Sequence, residues 1–435
     1  MTNKSLRTLA LASFLALSGC DLDRSNPNAP SQDTILSSRE GIVALSVGLQ
    51  ARFGSGMAAF IYPGGLISDE FGTPIGALQS YKDAEVGALA DTYNAVEEPW
   101  STHYQTIKTA DDLIANAGNV ALGPETLSGV LAMSYALKGM SLGDLLQLYQ
   151  QIIVNPRAAE PAFVDRPTAL AAVLALLDSA AVENAKFATR AEFNGSIKAN
   201  GFDLKNTIFA MQARYQRIAN NWPAALAAAN QVDTGVVSLM PFSDQVINPL
   251  FDLSSRSSYI RPRDTIRVAA EPGDARVAFI LGGPTVQGTV RPIRSFTQYA
   301  ATTSPIPFYY PGEVMLIKAE AWANTGQLGL AAQMVNYVRT RCGGAANQPK
   351  ACLPAFPLSS LATREQIVAE IYKQRKYELF GLGLRWEDVR RLGQVSATSP
   401  FAKRCWLLYL NSERNTAASV PTNPNDPPAT PSTCL

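Results

Sequence analysis

Carboxylates stand in adjacent pairs at Asp69–Glu70, Glu97–Glu98 and Asp111–Asp112. Two carboxylates can cleave a glycosidic bond when they face each other across a cleft at about 5–10 Å. Adjacency in sequence does not establish that facing, and most such pairs are solvated or cap helices. The stretch GMSLG, residues 139–143, has the G-x-S-x-G spacing of a serine nucleophile. Such a serine sits on a strand-to-helix turn and takes its base from a later histidine. Ser141 instead falls inside a helical pattern, and the one histidine, His103, precedes it. A single histidine supports no histidine-rich metal site and reads as a helix-face residue. No phosphate loop, dinucleotide fingerprint or metalloprotease helix is present. The expectation is a non-enzyme without metal or cofactor. With 37 basic against 36 acidic residues, a net charge of +1 gives no electrostatic footprint for nucleic acid.

Cysteine is the other reactive residue, and there are five. Cys20 ends a basic start (Lys4, Arg7), an apolar run from Leu9 to Leu17 and the small residues of LSGC. These are the parts of a secretory signal, too short to span a bilayer. Closing such a signal on cysteine resembles the bacterial lipoprotein pattern, which implies cleavage after residue 19 and a lipid on the Cys20 thiol. The tether then runs over 20–34 and contains RSNPNAPSQD, with two prolines and no apolar spacing. No later run reads as long enough to span. Cys342, Cys352, Cys405 and Cys434 allow three pairings in an oxidising compartment. Proximity in sequence favours Cys342–Cys352 and Cys405–Cys434.

The body, 35–435, must position these groups, and its pattern is mostly helical. Residues 103–117, 127–149 and 168–187 carry apolar stripes of helical period. Two later segments resemble each other. In one, Ile208, Met211, Tyr215 and Ile218 form a stripe that breaks at Asn220–Asn221 and restarts at Pro223. In the other, Val314, Ile317 and Ala321 precede a break at Gly326, and Ala331, Met334, Val335 and Val338 follow it. Each reads as the helix–turn–helix unit of a tetratricopeptide-like repeat. The fold expected is all-α, a helical-repeat superhelix. Two interruptions, 54–83 (rich in glycine) and 248–311 (rich in Arg, Pro, Gly and Ser), are expected as loops. The pieces TIRVAA and ARVAFIL leave room for a small β-hairpin in the second.

Residues 363–393 concentrate charge beside Trp386. Thr363 and Gln366 have capping-box spacing, Arg375 and Glu378 are three apart and can pair, and Gly381 and Gly383 stop the helix. A buried ion network of Arg375, Glu378, Arg385 and Asp388 joining two helices is expected. This stretch resembles the SusD/RagB family of nutrient-binding lipoproteins. Ile371, Gln374, Arg375, Glu378, Leu379, Gly383, Arg385, Trp386, Asp388 and Arg391 fill the family pattern, with Gln374 where Glu is common. Glu313, Leu316, Ala319, Glu320, Ala321, Asn336, Arg339 and Arg341 match a second family segment. There Tyr310 stands near a position often occupied by arginine, a change expected to alter a local ion pair.

The resemblance implies a surface-exposed outer-membrane lipoprotein that binds a nutrient, most often an oligosaccharide. It would present that ligand to a TonB-dependent transporter of the SusC kind. Sugars offer apolar faces to aromatic rings and hydroxyls to carboxylates and amides. Loops on a rigid scaffold commonly carry binding groups. The ligand contacts expected are therefore Asp69, Phe71, Gln79 and Tyr81 from the first loop segment, and Tyr259, Phe296 and Tyr299 from the second. The competing reading is a helical-repeat envelope scaffold that binds no nutrient.

Overall fold

The computed structural model describes residues 32–345, 347–396, 398–399, 402–416, 419–424 and 434. The signal, Cys20 and most of the tether lie outside the described residues. Helix α1, Arg39–Ile67, is the central rod. Ser38 caps it, its Oγ accepting the Gly41 N–H at 3.2 Å. Behind it come α2 (Gln79–Glu85), α3 (Asn94–Asn116), α4 (Pro124–Leu148) and α5 (Arg166–Ala185). Hairpins α6–α7 (Leu204–Ile218, Trp222–Ala229) and α8–α9 (Pro311–Asn324, Leu328–Thr340) follow. The chain then forms α10 (Arg364–Glu378) and α11 (Arg385–Arg391). Successive helices pack side by side, α3 on α4, α4 on α5, α5 on α6, and α8 on α7, α9 and α10. This is the expected helical-repeat architecture.

The two predicted hairpins form as read. Ile208, Met211, Tyr215 and Ile218 are buried in α6, and Val314, Ile317 and Ala321 in α8. Pro223 sits in the first turn of α7, where its missing N–H costs nothing. Asn220 and Gly326 take positive φ at the two breaks. Both atoms of the capping box at Thr363 and Gln366 are in place. A main core runs through α1, α3, α4, α5 and α6, and a smaller one fills the space between α8, α9 and α10.

Residues 54–67 are not a loop. They complete α1, glycines and Pro63 included. The glycines are there for close packing: a Cβ would meet Met240 at Gly54, Thr102 at Gly56 and Phe71 at Gly65. Burial on all sides outweighs their low helix propensity. By length and composition α1 and α5 could each cross a membrane, but α1 is a core helix here. The region 248–311 does contain a hairpin, β6 (Leu281–Val286) with β7 (Ile293–Phe296), one segment later than read. TIRVAA and ARVAFIL instead form short helices, Thr265–Val268 and Arg276–Ile280, a reminder that strand propensity depends on context. Cys342 is bonded to Cys352 and Cys405 to Cys434.

The GMSLG stretch is interior to α4. Ser141 is buried and its Oγ finds no partner among the described residues. Gly143 is small because Tyr215 of α6 lies where a Cβ would stand. Asp144 is buried 3.9 Å from His103. Burial pushes the Asp144 carboxyl up to about 8, against the pull of Arg214, and pushes His103 down to about 3. A raised carboxyl is neutral in the folded state and ionises first in the unfolded one. Its contribution is therefore intact below about pH 4 and lost as pH rises towards 8. Asp144→Asn removes that loss. The variant should match wild type near pH 4 and exceed it by about 1–2 kcal/mol at pH 8, in urea melts across that range.

Candidate functional site

The seven expected ligand contacts do not share one face. Phe71, Phe296 and Tyr299 are core residues. Phe71 stands edge-on to Phe296 and Phe380 at 5.5 and 5.9 Å, and the Tyr299 hydroxyl donates to the Gly381 carbonyl at 3.2 Å. The cause is strand pairing: β1 (Phe71–Gly72) pairs antiparallel with β5 (Arg261–Pro262) and turns Phe71 inward. Tyr81 is buried between Tyr62 and the half-buried Tyr259, with centroids 5.5 and 4.9 Å away. Gln79 is exposed and donates to Asp83. Asp69 faces a cavity.

That cavity, about 160 Å³, lies where α1 ends. Asp69 takes φ +61° just past the helix, and the Glu70 N–H returns to the Gly65 carbonyl at 2.9 Å. The turn aims Asp69 at Arg263 (3.0 Å) and Arg291 (2.8 Å). Arg263, anchored by its N–H on the Glu70 carbonyl, also pairs with buried Glu85. Lys376 of α10, Arg385 of α11, Ser68, Thr265 and the Phe380 ring complete the lining. Burial pushes the Glu70 carboxyl up to about 8 despite nearby Arg385, and its Oε2 has no hydrogen-bond partner among the described residues.

A second, larger recess was missed by reasoning from loops. It measures about 930 Å³ and lies along α3, between Trp100, Tyr104 and the segment ending in β3 (Phe163–Val164). The Phe163 ring stacks on Trp100 at 5.7 Å. Tyr104 is held by its hydroxyl, which donates to the Ile153 carbonyl (2.9 Å) and accepts the Ile153 N–H (2.8 Å). Trp100 Nε1 donates to Glu413 at 3.1 Å. Gln105, Lys108, Glu160 and Ser412 supply polar edges. The signal available in the sequence was Trp100 and Tyr104 four apart on a helix whose neighbours Ser101, Gln105 and Lys108 are polar.

Arg375, Glu378 and Asp388 are held in buried ion pairs, with different partners for Arg375 and Glu378 from those expected. Arg375 does not pair with Glu378. Its Nε reaches Asp388 Oδ2 at 2.7 Å, and Arg217 holds the other oxygen at 3.0 Å while also pairing with Glu320. Glu378 turns the opposite way, to Arg341 and Arg276. Three residues along α10 rotate the two side chains to different sides, and helices from other repeats offer better partners. Arg385 makes no ion pair among the described residues. Glu313, near which Tyr310 stands in place of the family's frequent arginine, takes Arg214 of α6 in a two-point contact at 2.6 and 2.7 Å. No cluster of three or more His, Cys, Asp or Glu side chains suited to a metal occurs among the described residues.

Residues 283–428 match the model of the SusD family. No curated protein sequence matches the chain. Among solved structures, a SusD superfamily protein from Bacteroides thetaiotaomicron is similar at a TM-score of 0.68 and 15% identity, covering 89% of this chain and 99% of that one. B. fragilis NanU gives 0.69 at 13% identity, covering 92% and 99%. A SusD-like carbohydrate binding protein from Bacteroides vulgatus gives 0.62 at 14%, covering 80% and 82%. The SusD family's sequence signature thus lies in the C-terminal third of the chain, and the fold over nearly its full length is similar to that of SusD superfamily structures.

Proposed function

We propose that this protein is a non-catalytic binder of an oligosaccharide. A lipid on Cys20 holds it at the outer membrane, facing out, and it passes its ligand to a TonB-dependent transporter of the SusC kind. The observation that carries the reading is the recess along α3. Its volume, about 930 Å³, suits several sugar units. Tyr104 and Phe163 offer ring faces to sugar faces, and Gln105, Lys108 and Glu160 offer donors and acceptors to hydroxyls. The family and its carbohydrate-binding member from B. vulgatus support the same ligand class.

Calorimetry with a panel of neutral oligosaccharides is the test. The bound glycan should lose roughly tenfold in affinity in Phe163→Ala, the value of one lost stacking ring. Equal affinity in wild type and variant rejects the recess as the site. Pull-down from membranes should return a TonB-dependent barrel; return of assembly factors alone supports the scaffold reading.

A further inference from the structure

The Asp69 cavity carries more positive charge than its own carboxylates balance. Arg263 is engaged by Asp69 and Glu85, and Arg291 by Asp69. Lys376 and Arg385, both half-buried at the wall, make neither a hydrogen bond nor an ion pair within 4.0 Å among the described residues. They sit on a stiff corner. Lys376 is in the last turn of α10 and Arg385 opens α11, the two helices being locked together by the Arg375–Asp388 pair. Glu70 also lines the cavity without a direct pair to either cation, and burial favours the neutral form of its carboxyl. Two cations on the wall of one cavity that no carboxylate pairs directly form a prepared anion site.

We propose that this cavity binds one small sugar acid through its carboxylate. The carboxylate would lie between the Arg385 guanidinium and the Lys376 ammonium. The remaining groups choose a sugar acid over a bare anion: Asp69 accepts from ligand hydroxyls, Ser68 and Thr265 can donate or accept, and Phe380 offers an aromatic wall. At about 160 Å³ the space takes a single unit and not a chain, which separates it from the recess along α3. The inference deepens the binding-protein reading but does not depend on the position of the oligosaccharide site.

The test is calorimetry of the mature chain with D-glucuronate, D-glucose and inorganic sulfate. Glucuronate should bind, more weakly as salt rises, and Lys376→Gln should lower its affinity roughly tenfold or more, as expected for loss of a charged hydrogen bond. Lys376→Gln should leave the melting temperature and any neutral-oligosaccharide affinity unchanged, and Phe163→Ala should leave glucuronate binding unchanged. Glucuronate binding no tighter than glucose, or equally tight in Lys376→Gln, overturns the proposal. Sulfate binding as tightly as glucuronate overturns the sugar-acid assignment. Glucuronate binding with no neutral oligosaccharide bound leaves this site standing and rejects the recess.

Discussion

Asp388→Ala is expected to destabilise the protein by about 3–5 kcal/mol, the cost of leaving buried charges without their partner. Asp388 pairs with both Arg375 and Arg217, at 2.7 and 3.0 Å, and all three are buried. Through it α11 is tied to its neighbour α10 and to α6, which lies far back along the chain. Burial alone would raise the Asp388 carboxyl, yet Arg375 and Arg217 together hold it below its ordinary value. A depressed carboxyl contributes fully above its unfolded pKa, about 4, and the contribution fades as pH falls through the folded value. The difference between wild type and Asp388→Ala should therefore be constant from pH 5 to 7 and shrink in acid. Urea midpoints at several pH values measure this. A variant within about 1 kcal/mol of wild type at pH 7 would mean that the arginines are not buried as described. Asp388→Leu combined with Arg375→Met should recover part of the loss, because an apolar pair of similar volume removes one buried charge together with its partner.

What the sequence made legible follows from which interactions are local. Helical stripes, the Thr363 cap and the breaks at Asn220 and Gly326 depend on neighbours within a few residues, and all were readable. The partners of Asp388, Glu378 and Glu313 were not, because each lies beyond any local window: Arg217, Arg341 and Arg214 respectively. Spacing on one helix shows which pairs can meet, not which compete for them. The glycine-rich stretch 54–67 misled for the same reason. Its glycines mark contacts with Met240, Thr102 and Phe71, which no local window contains. The aromatic residues of the two loop segments were read as surface rings, yet Phe71, Phe296 and Tyr299 close a core that strand pairing creates. Asp69 lines a cavity because its positive φ, just past the end of α1, turns its carboxylate towards Arg263 and Arg291.

Gly312→Ala should destabilise by about 3 kcal/mol or more, although alanine is the better helix former by about 1 kcal/mol. Gly312 is the second residue of α8, and the Glu378 carboxylate occupies the space its Cβ would take. Glu378 is fully buried and serves both Arg341 and Arg276. Moving the carboxylate aside breaks its contacts with Arg341 and Arg276, a loss that adds to ordinary overpacking of about 1–3 kcal/mol. Gly329, on the neighbouring helix α9, has nothing within 4 Å of its Cβ position. Gly329→Ala should thus be neutral or stabilising, and the pair of variants separates helix propensity from the steric conflict. Shortening the acid in Gly312→Ala/Glu378→Asp should restore part of the lost stability by drawing the carboxylate away from the new methyl group. If Gly312→Ala melts like wild type, or if the double variant is worse than the single, Glu378 does not stand against Gly312. The link between α8 and the end of α10 would then have to come from apolar packing alone.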